Sequence, residues 1–320
     1  MFSRDQYDAA HRSAIITGSQ FGGTIAVAGS DRAPFLHGLL TNDIAGLAGG
    51  SGAYAAYLTP QGRMISDMRI VETGDRMLVG VDPQAAPSLA EKLDTLIFSE
   101  DVQVRDITAD VDIVGVHGPS AASMIQRVTG VSVTDLAGQY DNRTSGSLAV
   151  IRDDGLGLPG FDVYAPKDEG PALRASLERE GAAIASAATN ETLRIEALRP
   201  KFGIDMTNDT IPLEAGIERR AISFTKGCYV GQEVIVRVMH RGHGRVAKRL
   251  VAVAVLDGRA PARGEAVLAG DRPVGEVTSS AVSPKVDAAL ALAYVQRDFA
   301  AAGTELRIGG SEARVYQPVD

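Results

Sequence analysis

Cysteine is almost absent from this chain of 320 residues, which has a single one, Cys228. One thiol cannot form an intramolecular disulfide, and it cannot build a zinc or iron–sulfur site alone, because such sites need about four ligands. The chain lacks a run of ~18 apolar residues, so we expect no membrane span. Its polar N-terminus also lacks the apolar core of a secretory signal. These absences predict a soluble, cytoplasmic protein in a reducing compartment.

An excess of basic residues is lacking too. The net charge of −8 and the pI of about 5.2 argue against broad coating of nucleic acid. Several catalytic signatures are missing, namely a Ser-His-Asp arrangement, a phosphate-binding loop and the G-x-G-x-x-G pattern of dinucleotide sites. His240 and His243 have no third ligand near them in sequence, so no metal site is predicted. A classical enzyme is therefore not expected.

The chain has enough apolar residues, 45%, to bury a sizeable core in two or three domains. Its first third alternates short strands and helices, with residues 53–58 and 64–71 predicted to pair as a hairpin around Thr59-Pro60-Gln61-Gly62. After Arg245, short strands punctuated by Gly and Pro are typical of a small closed β domain. The predicted class is α+β with a separate C-terminal β-barrel.

The sole cysteine lies in a motif of eight residues: Lys226, Gly227, Cys228, Tyr229, Val230, Gly231, Gln232 and Glu233. Lys226 supplies a nearby cation, and the helix predicted to begin at Gln232 and Glu233 supplies a positive helix end. Both features lower the pKa of a thiol. The motif therefore favours Cys228 as a single reactive thiol, although free cysteines are often buried and inert, which remains the alternative.

Two carboxylates and one basic cluster are further candidates. Asp67 shares a face of the second hairpin strand with Arg69, as either a catalytic carboxylate or a solvated surface pair. Asp162, in a predicted strand at residues 161–164, is either functional or exposed on the opposite face from its apolar neighbours. The basic cluster, a solvated surface or a site for an anionic ligand, comprises Arg237, His240, Arg241, His243, Arg245, Lys248 and Arg249.

The motif at residues 226–233 resembles the hallmark of YgfZ-type folate-binding proteins, which are iron–sulfur cluster factors related to the glycine-cleavage T-protein, an aminomethyltransferase. Segments 39–43, 62–67, 193–197 and 211–216 are similar to the T-protein as well. The resemblance implies a three-domain T-protein-like fold with a small C-terminal β-barrel. The implied domains are residues 1–115 (completed by 190–240), 116–190, 191–244 with the motif, and 245–320.

The resemblance also implies a ligand, tetrahydrofolate or a one-carbon derivative, bound in a central channel. By position, Asp67 matches the T-protein carboxylate beside the reactive folate nitrogens, and Tyr54 matches an aromatic residue of the pterin pocket. Asp162 falls where T-proteins place a pterin-binding glutamate, and Arg194 is the implied partner of the glutamate tail. Two departures from T-proteins stand out: the glycine-rich loop at 155–160 lacks their tyrosine and acidic residues, and Cys228 replaces an apolar residue.

Three functions follow as hypotheses. The first is a monomeric, folate-dependent factor for iron–sulfur cluster assembly or repair, with Cys228 acting on iron–sulfur proteins, including enzymes that modify tRNA. The second is a folate-dependent aminomethyl- or methyltransferase that uses Asp67. The third is an RNA-binding module that uses the basic cluster at 237–249. Loss of function in Cys228→Ala would favour the first hypothesis, and loss in Asp67→Asn would favour the second.

Overall fold

A computed structural model of the chain describes residues 1–240 and 244–317. Arg241 and His243 of the basic cluster lie outside this part, as does the side chain of His240. The α-helices are α1 (Arg4–Arg12), α2 (Arg32–Leu39), α3 (Ala86–Asp94), α4 (Ala121–Thr129), α5 (Gly170–Arg179), α6 (Ala187–Glu196), α7 (Glu218–Ala221) and α8 (Gln232–His240). A short 3-10 helix covers Arg297–Phe299.

The strands make up three sheets. In chain order they are β1 (Ile15–Thr17), β2 (Gly23–Ala28), β3 (Gly52–Leu58), β4 (Met64–Glu72), β5 (Arg76–Val81), β6 (Gln103–Asp106), β7 (Val111–His117), β8 (Asn142–Ser145), β9 (Leu148–Arg152), β10 (Gly160–Pro166), β11 (Ala183–Ile184), β12 (Lys248–Val255), β13 (Ala266–Ala269), β14 (Arg272–Ser283), β15 (Ala288–Gln296), β16 (Glu305–Ile308) and β17 (Ser311–Val315). The chain divides into two compact units, each built from several segments.

The first unit consists of residues 1–57, 66–189 and 220–230. It contains a five-stranded sheet of order β3-β4-β5-β2-β6 and a six-stranded sheet of order β11-β1-β7-β10-β9-β8. On the six-stranded sheet, apolar side chains of β7 and β10 form a core with helices α4 and α5, including Val114, Val116, Ile125, Val163 and Leu177. Burial of these apolar side chains is the main stabilising contribution to this layer.

The second unit consists of residues 58–65, 190–219 and 231–320. Its centre is a closed barrel of order β12-β15-β14-β13-β16-β17, filled by small and branched side chains such as Val253, Val277, Ala291 and Ile308. A closed barrel leaves no unpaired strand edge. The predicted C-terminal β-barrel and α+β class are confirmed.

Two local predictions are also confirmed. Residues 53–58 and 64–71 form the hairpin β3–β4, whose turn closes with a 2.8 Å hydrogen bond from the Gly62 amide to the Thr59 carbonyl. Gly62 has φ of +74°, a value that glycine adopts without a steric penalty. The helix predicted after Cys228 is α8, and its apolar side chain Ile235 is buried. The stop predicted for it at Gly242 lies outside the described residues.

Two further properties concern the described residues alone. None of their helices has the length and apolar character needed to cross a membrane. Within residues 1–240 and 244–317, no three side chains of His, Cys, Asp or Glu come together in a way that could hold a metal ion.

Candidate functional site

The hairpin β3–β4 brings Tyr54 and Asp67 together in the first unit. The Tyr54 hydroxyl donates a 2.9 Å hydrogen bond to Oδ2 of Asp67, and both side chains are buried, at 4% exposure each. Asp67 forms no ion pair with any described residue. The solvated surface pair considered for Asp67 and Arg69 is therefore wrong, because both side chains are buried and point to different partners.

The environment of Asp67 makes its carboxyl group unusually basic. Burial raises the pKa of Asp67 to about 6, against the hydrogen bond from Tyr54 and the positive charge of Arg220, and the charge of Asp82 adds to the rise. Burial and the neighbouring Asp67 charge also raise the pKa of Tyr54 well above its usual value. At neutral pH, Tyr54 is therefore a neutral donor and Asp67 an acceptor whose pKa suits a general base.

Aromatic and cationic side chains surround this pair. The rings of Phe21 and Tyr54 lie 6.2 Å apart with a 60° tilt, and the guanidinium of Arg220 lies 5.0 Å from the centre of the Tyr54 ring. The guanidinium of Arg69 lies 5.0 Å from the Phe21 ring. Phe21 thus stands between the Tyr54–Asp67 pair and a second buried polar group centred on Arg69.

Arg69 joins two carboxylates, Asp153 directly after β9 and Asp162 in β10. Its Nη1 lies 2.6 Å from Asp153 Oδ2 and 2.7 Å from Asp162 Oδ2, and its Nη2 donates to the Tyr164 hydroxyl at 2.7 Å. We call Arg69, Asp153, Asp162 and Tyr164 the Arg69 cluster. Arg69 is fully buried and Asp162 is 1% exposed. The alternative that Asp162 occupies an exposed strand position is therefore wrong.

Asp162 is the best-paired carboxylate of this cluster. Ser19 donates to its Oδ2 at 2.6 Å in addition to Arg69. Burial disfavours the charged form, but the charges of Arg69 and His117 hold the pKa of Asp162 below its usual range. His117 itself is buried, and burial lowers its pKa, while its Nδ1 has no hydrogen-bond partner among the described residues. A pterin-binding role for Asp162 stays a prediction, and it would have to use Oδ1.

Arg194 lies in the second unit, at the end of α6. All of its N–H donors have acceptors: Glu191, Asp205 at 2.7 Å, Ser279 at 3.1 Å and the Arg199 carbonyl. Asp205 in turn accepts from Thr278 and Ser279 of β14, so this network ties α6 and the segment after it to the barrel. These acceptors already occupy the guanidinium of Arg194. Its predicted binding of the folate glutamate tail stays a prediction.

The cysteine motif divides into an exposed part and a structural part. Cys228 is exposed and free, whereas Tyr229 is buried. The ammonium of Lys226 lies 5.2 Å from the Tyr229 ring and donates to the carbonyl groups of His37, Leu40 and Asn42 at and after the end of α2. Lys226 therefore anchors the segment that presents Cys228, a role that the sequence pattern does not predict.

The second half of the motif begins helix α8 in the second unit. Gly231 has φ of +82°, and a Cβ atom there would lie 2.4 Å from the Thr59 carbonyl oxygen. Only glycine fits this approach to the hairpin turn. Gln232 and Glu233 form the first turn of α8, with Glu233 exposed. The fold therefore accounts for Gly231, whereas functional roles of Gln232 and Glu233 stay predictions.

The basic cluster is described only in part. Arg237 and Arg249 are exposed, Lys248 lies 4.7 Å from the Tyr294 ring, and Arg249 donates to the Gly244 carbonyl at 3.3 Å. Arg241 and His243 lie outside the described residues. Anion or RNA binding by this cluster therefore stays a prediction.

The side chains that surround the two carboxylates could not be predicted from the sequence. Arg69 was noted only as a strand neighbour of Asp67, and the alternation of β4 gave no sign of Asp153 or Asp162 as its partners. No sequence motif indicates that Phe21 and Arg220 are site residues, because the fold alone brings them to Tyr54. The predicted residues Tyr54 and Asp67 are in direct contact, and Asp162 joins them through Phe21 and Arg69.

Two protein families match this chain. The GCVT N-terminal domain family matches residues 2–226, and the glycine cleavage T-protein C-terminal barrel domain matches residues 248–318. A protein named aminomethyltransferase from Rubrobacter xylanophilus is 31% identical over 278 residues, covering 85% of this chain and 73% of that protein. An aminomethyltransferase from Rippkaea orientalis is 29% identical over 300 residues, covering 89% of this chain and 79% of that protein.

The fold of a solved structure agrees with these matches. The crystal structure of glycine cleavage system aminomethyltransferase T from Bartonella henselae has a TM-score of 0.90 with this chain at 20% identity. The similarity covers 98% of this chain and 88% of that one, so the two proteins share one fold. The chain therefore belongs to the GCVT family, with the N-terminal and C-terminal barrel domains of glycine cleavage T-proteins.

Proposed function

We propose that this protein binds tetrahydrofolate, or a one-carbon derivative of it, and transfers an aminomethyl or related one-carbon group with Asp67 at the reacting nitrogen. The observation that carries the proposal is the buried Tyr54–Asp67 pair, whose carboxyl group has a pKa of about 6. The family supports it, since relatives that match most of this chain are named aminomethyltransferase.

The residues of the pair fit a reduced folate. An ionised carboxylate is a pure hydrogen-bond acceptor, and the ring N–H groups of a tetrahydropterin are donors. Tyr54 is the only described side chain that donates to Asp67, so acceptor capacity of the carboxylate is left for a ligand. Phe21 and Tyr54 provide aromatic surfaces of the kind that surround flat heterocycles in binding sites.

Each residue then has a defined task. Asp67 accepts a hydrogen bond from a folate N–H group, orients that nitrogen, and takes its proton as the nitrogen forms the bond to the one-carbon group, a general-base role that suits a carboxylate with a pKa of about 6. Tyr54, neutral because its own pKa is raised, holds the carboxylate in place through its hydroxyl group. The folate, when bound, supplies the nitrogen that carries the one-carbon group.

Calorimetric titration with tetrahydrofolate under anaerobic conditions tests the binding step. We expect wild type to bind and Asp67→Asn to bind about 100-fold more weakly, since it loses a charge-assisted hydrogen bond and the negative charge. Asp168→Asn is the matched control, because Asp168 is exposed and has the same charge. Equal affinity of wild type and Asp67→Asn, or no binding by wild type, would overturn the proposal.

A second candidate function is iron–sulfur cluster assembly or repair, with the folate as cofactor and Cys228 as the working thiol. One specific observation favours it: the only thiol of the chain is exposed, on a segment that Lys226 anchors to α2. The resemblance of residues 226–233 to YgfZ-type proteins supports it as well. A single thiol cannot hold a cluster, so a partner protein must supply the other ligands.

Complementation separates the two functions. Cells that lack the native gene would receive wild type, Cys228→Ala or Asp67→Asn at matched protein levels, and the activities of their iron–sulfur enzymes would be measured. Failure of rescue by Cys228→Ala alone would support cluster maintenance, including support of tRNA-modifying cluster enzymes. Normal iron–sulfur activities in the uncomplemented cells would remove this candidate and leave one-carbon transfer.

A further inference from the structure

Arg220 is a cation beside the candidate site with no assigned role. Its guanidinium lies 5.0 Å from the centre of the Tyr54 ring and is close enough to Asp67 for its charge to act on that carboxyl group. Among residues 1–240 and 244–317, no side chain or carbonyl accepts a hydrogen bond from the guanidinium, and no carboxylate forms an ion pair with it. Arg69 and Arg194, by contrast, are held by several acceptors each.

The backbone around Arg220 is fixed, so this placement is built into the fold. Nδ2 of Asn42 donates to the Arg220 carbonyl at 2.9 Å and to the Tyr54 carbonyl at 2.8 Å. The Thr41 hydroxyl donates to the Ala221 carbonyl at 2.6 Å. One asparagine thus ties the backbone of Arg220 to that of Tyr54. A half-buried guanidinium held here over an aromatic ring has its planar donors available to a ligand.

Asp67 and Arg220 both contact the Tyr54 side chain, Asp67 at its hydroxyl group and Arg220 over its ring, so the site offers one acceptor and one set of donors. The edge of a tetrahydropterin at N5 has the complementary order, because the N5–H donor lies next to the C4 carbonyl acceptor. A carboxylate alone would recognise the N–H group only. A guanidinium beside it can donate to the carbonyl oxygen, and hydrogen bonds from charged donors are stronger than neutral ones.

We propose that Arg220 is a ligand-binding residue that donates to the C4 carbonyl oxygen of the reduced pterin, at the edge where Asp67 accepts from N5–H. This inference rests on the proposed binding of folate. It makes Arg220 a determinant of specificity, because a 4-amino pterin presents an N–H donor where Arg220 requires an acceptor. Two donors that face each other leave both without a partner.

The test compares two ligands that differ in the substituent at C4 and, as its consequence, in whether N3 carries a proton. Tetrahydrofolate and tetrahydroaminopterin, its 4-amino counterpart, would be titrated anaerobically into wild type, Arg220→Met, Arg220→Lys and Arg219→Met. We expect wild type to prefer tetrahydrofolate by about ten- to a hundredfold, and Arg220→Met to lose most of that preference. Arg220→Lys keeps a charged donor, so its preference for tetrahydrofolate should lie between those of wild type and Arg220→Met. Arg219→Met, the matched control at an exposed neighbour, should keep the wild-type preference.

A second readout is the pH dependence of tetrahydrofolate binding. The groups that act on Asp67 are Tyr54, Arg220 and Asp82, and of these Arg220 is the cation that favours its ionised form. Removal of Arg220 should therefore move the midpoint of binding to higher pH, whereas Arg219→Met should leave it unchanged. A merely structural role of Arg220 would not produce this shift together with the lost preference for the 4-oxo ligand.

The outcomes are distinguishable from failure of the proposed function. If wild type binds neither pterin, both the folate proposal and the role of Arg220 are wrong. If wild type binds tetrahydrofolate and folded Arg220→Met keeps the full preference over the 4-amino ligand, only the role of Arg220 is wrong. Thermal melting of each variant establishes that it is folded before titration.

Discussion

Asp67 and Asp162 are two carboxylates of the first unit with almost no solvent exposure, yet their surroundings shift their pKa values in opposite directions. Burial raises the pKa of Asp67 to about 6, and Tyr54 is its only side-chain donor in the part of the chain that the structure describes. Asp162 is buried as well, but Arg69, His117 and Ser19 hold its pKa below the usual range. Burial alone therefore does not determine how a carboxylate behaves; the groups that pair with it do.

The two carboxylates differ in whether a cation of the protein pairs with their charge. Asp162 shares Arg69 with Asp153, and the cluster joins strand β4 of one sheet to β10 of the other. Asp67 has a buried carboxylate that forms no ion pair within residues 1–240 and 244–317, which costs stability unless a ligand or a proton neutralises the charge. Such under-satisfied groups are typical of functional sites, where stability is traded for chemistry.

The largest expected effect on stability comes from removal of Arg69, the cation that pairs with Asp162 but not with Asp67. Arg69→Met leaves Asp153 and Asp162 buried together without a positive charge, and we expect it to lower the free energy of unfolding by about 3–5 kcal/mol. Urea titration at pH 7.5 measures this change, with Arg76→Met at an exposed ion pair as the control. The loss should shrink at low pH, where the two carboxyl groups can be protonated. A cost equal to that of the control would contradict the structural role of the cluster.

At Asp67 we expect a substitution to raise the free energy of unfolding rather than lower it. Its pKa is about 2 units higher in the folded chain than the usual value of 3.8, which corresponds to up to about 3 kcal/mol at ~1.36 kcal/mol per unit. Because the raised pKa favours the protonated form in the folded state, wild type loses this stability as the pH rises from about 4 through 6. Asp67→Asn removes the charge and can still accept from Tyr54, so it should be more stable than wild type by about 1–3 kcal/mol at pH 7.5.

Urea titration of wild type and Asp67→Asn at pH 4.5 and pH 7.5 checks the sign. The advantage of the asparagine variant should be smaller at pH 4.5, where Asp67 in wild type is mostly protonated. An Asp67→Asn variant that is less stable than wild type at both values would show that the carboxylate has a stabilising partner, and the contrast with Asp162 would not hold.

The contrast also shows how far the sequence could predict this site. The hairpin β3–β4 could be predicted from two apolar runs and the turn Thr59-Pro60-Gln61-Gly62, since turn chemistry and alternation are local. Helix α8 and the C-terminal barrel were predictable for the same reason. Asp67 and Tyr54 were found through family resemblance, and only the structure shows that they touch.

The rest of the site depends on contacts between distant parts of the chain. Asp67 and Arg69 are two residues apart on a strand, so the sequence predicts that they share one face, and a solvated surface pair was one interpretation. The alternation of a strand does not indicate what packs on that face. Asp153, Asp162 and Arg220 reach the site by tertiary packing, which no local pattern encodes. The motif around Cys228 was recognised for its thiol, but the anchoring task of Lys226 depends on carbonyl groups near α2.

The pH dependence of ligand binding should reveal the Asp67 pKa directly. If binding needs the ionised carboxylate, the affinity for tetrahydrofolate should fall by about tenfold per pH unit below about 6 and be nearly constant above it. Titrations between pH 5 and 8 measure this profile, and Asp67→Asn should lack the step. A wild-type profile with its midpoint near 4 would mean that the carboxylate is paired as Asp162 is.

Cys228 completes the comparison as a functional candidate that is exposed, and its removal should have the smallest effect on stability. Cys228→Ala and Cys228→Ser should change the free energy of unfolding by no more than ~0.5 kcal/mol, since exposed side chains without special contacts contribute little. Their affinity for tetrahydrofolate should equal that of wild type if the thiol works apart from the folate. Mass spectrometry after brief treatment of the folded protein with a maleimide should show one modification, on Cys228. Protection of the thiol until the protein unfolds would place Cys228 in the core and remove its proposed role toward a partner.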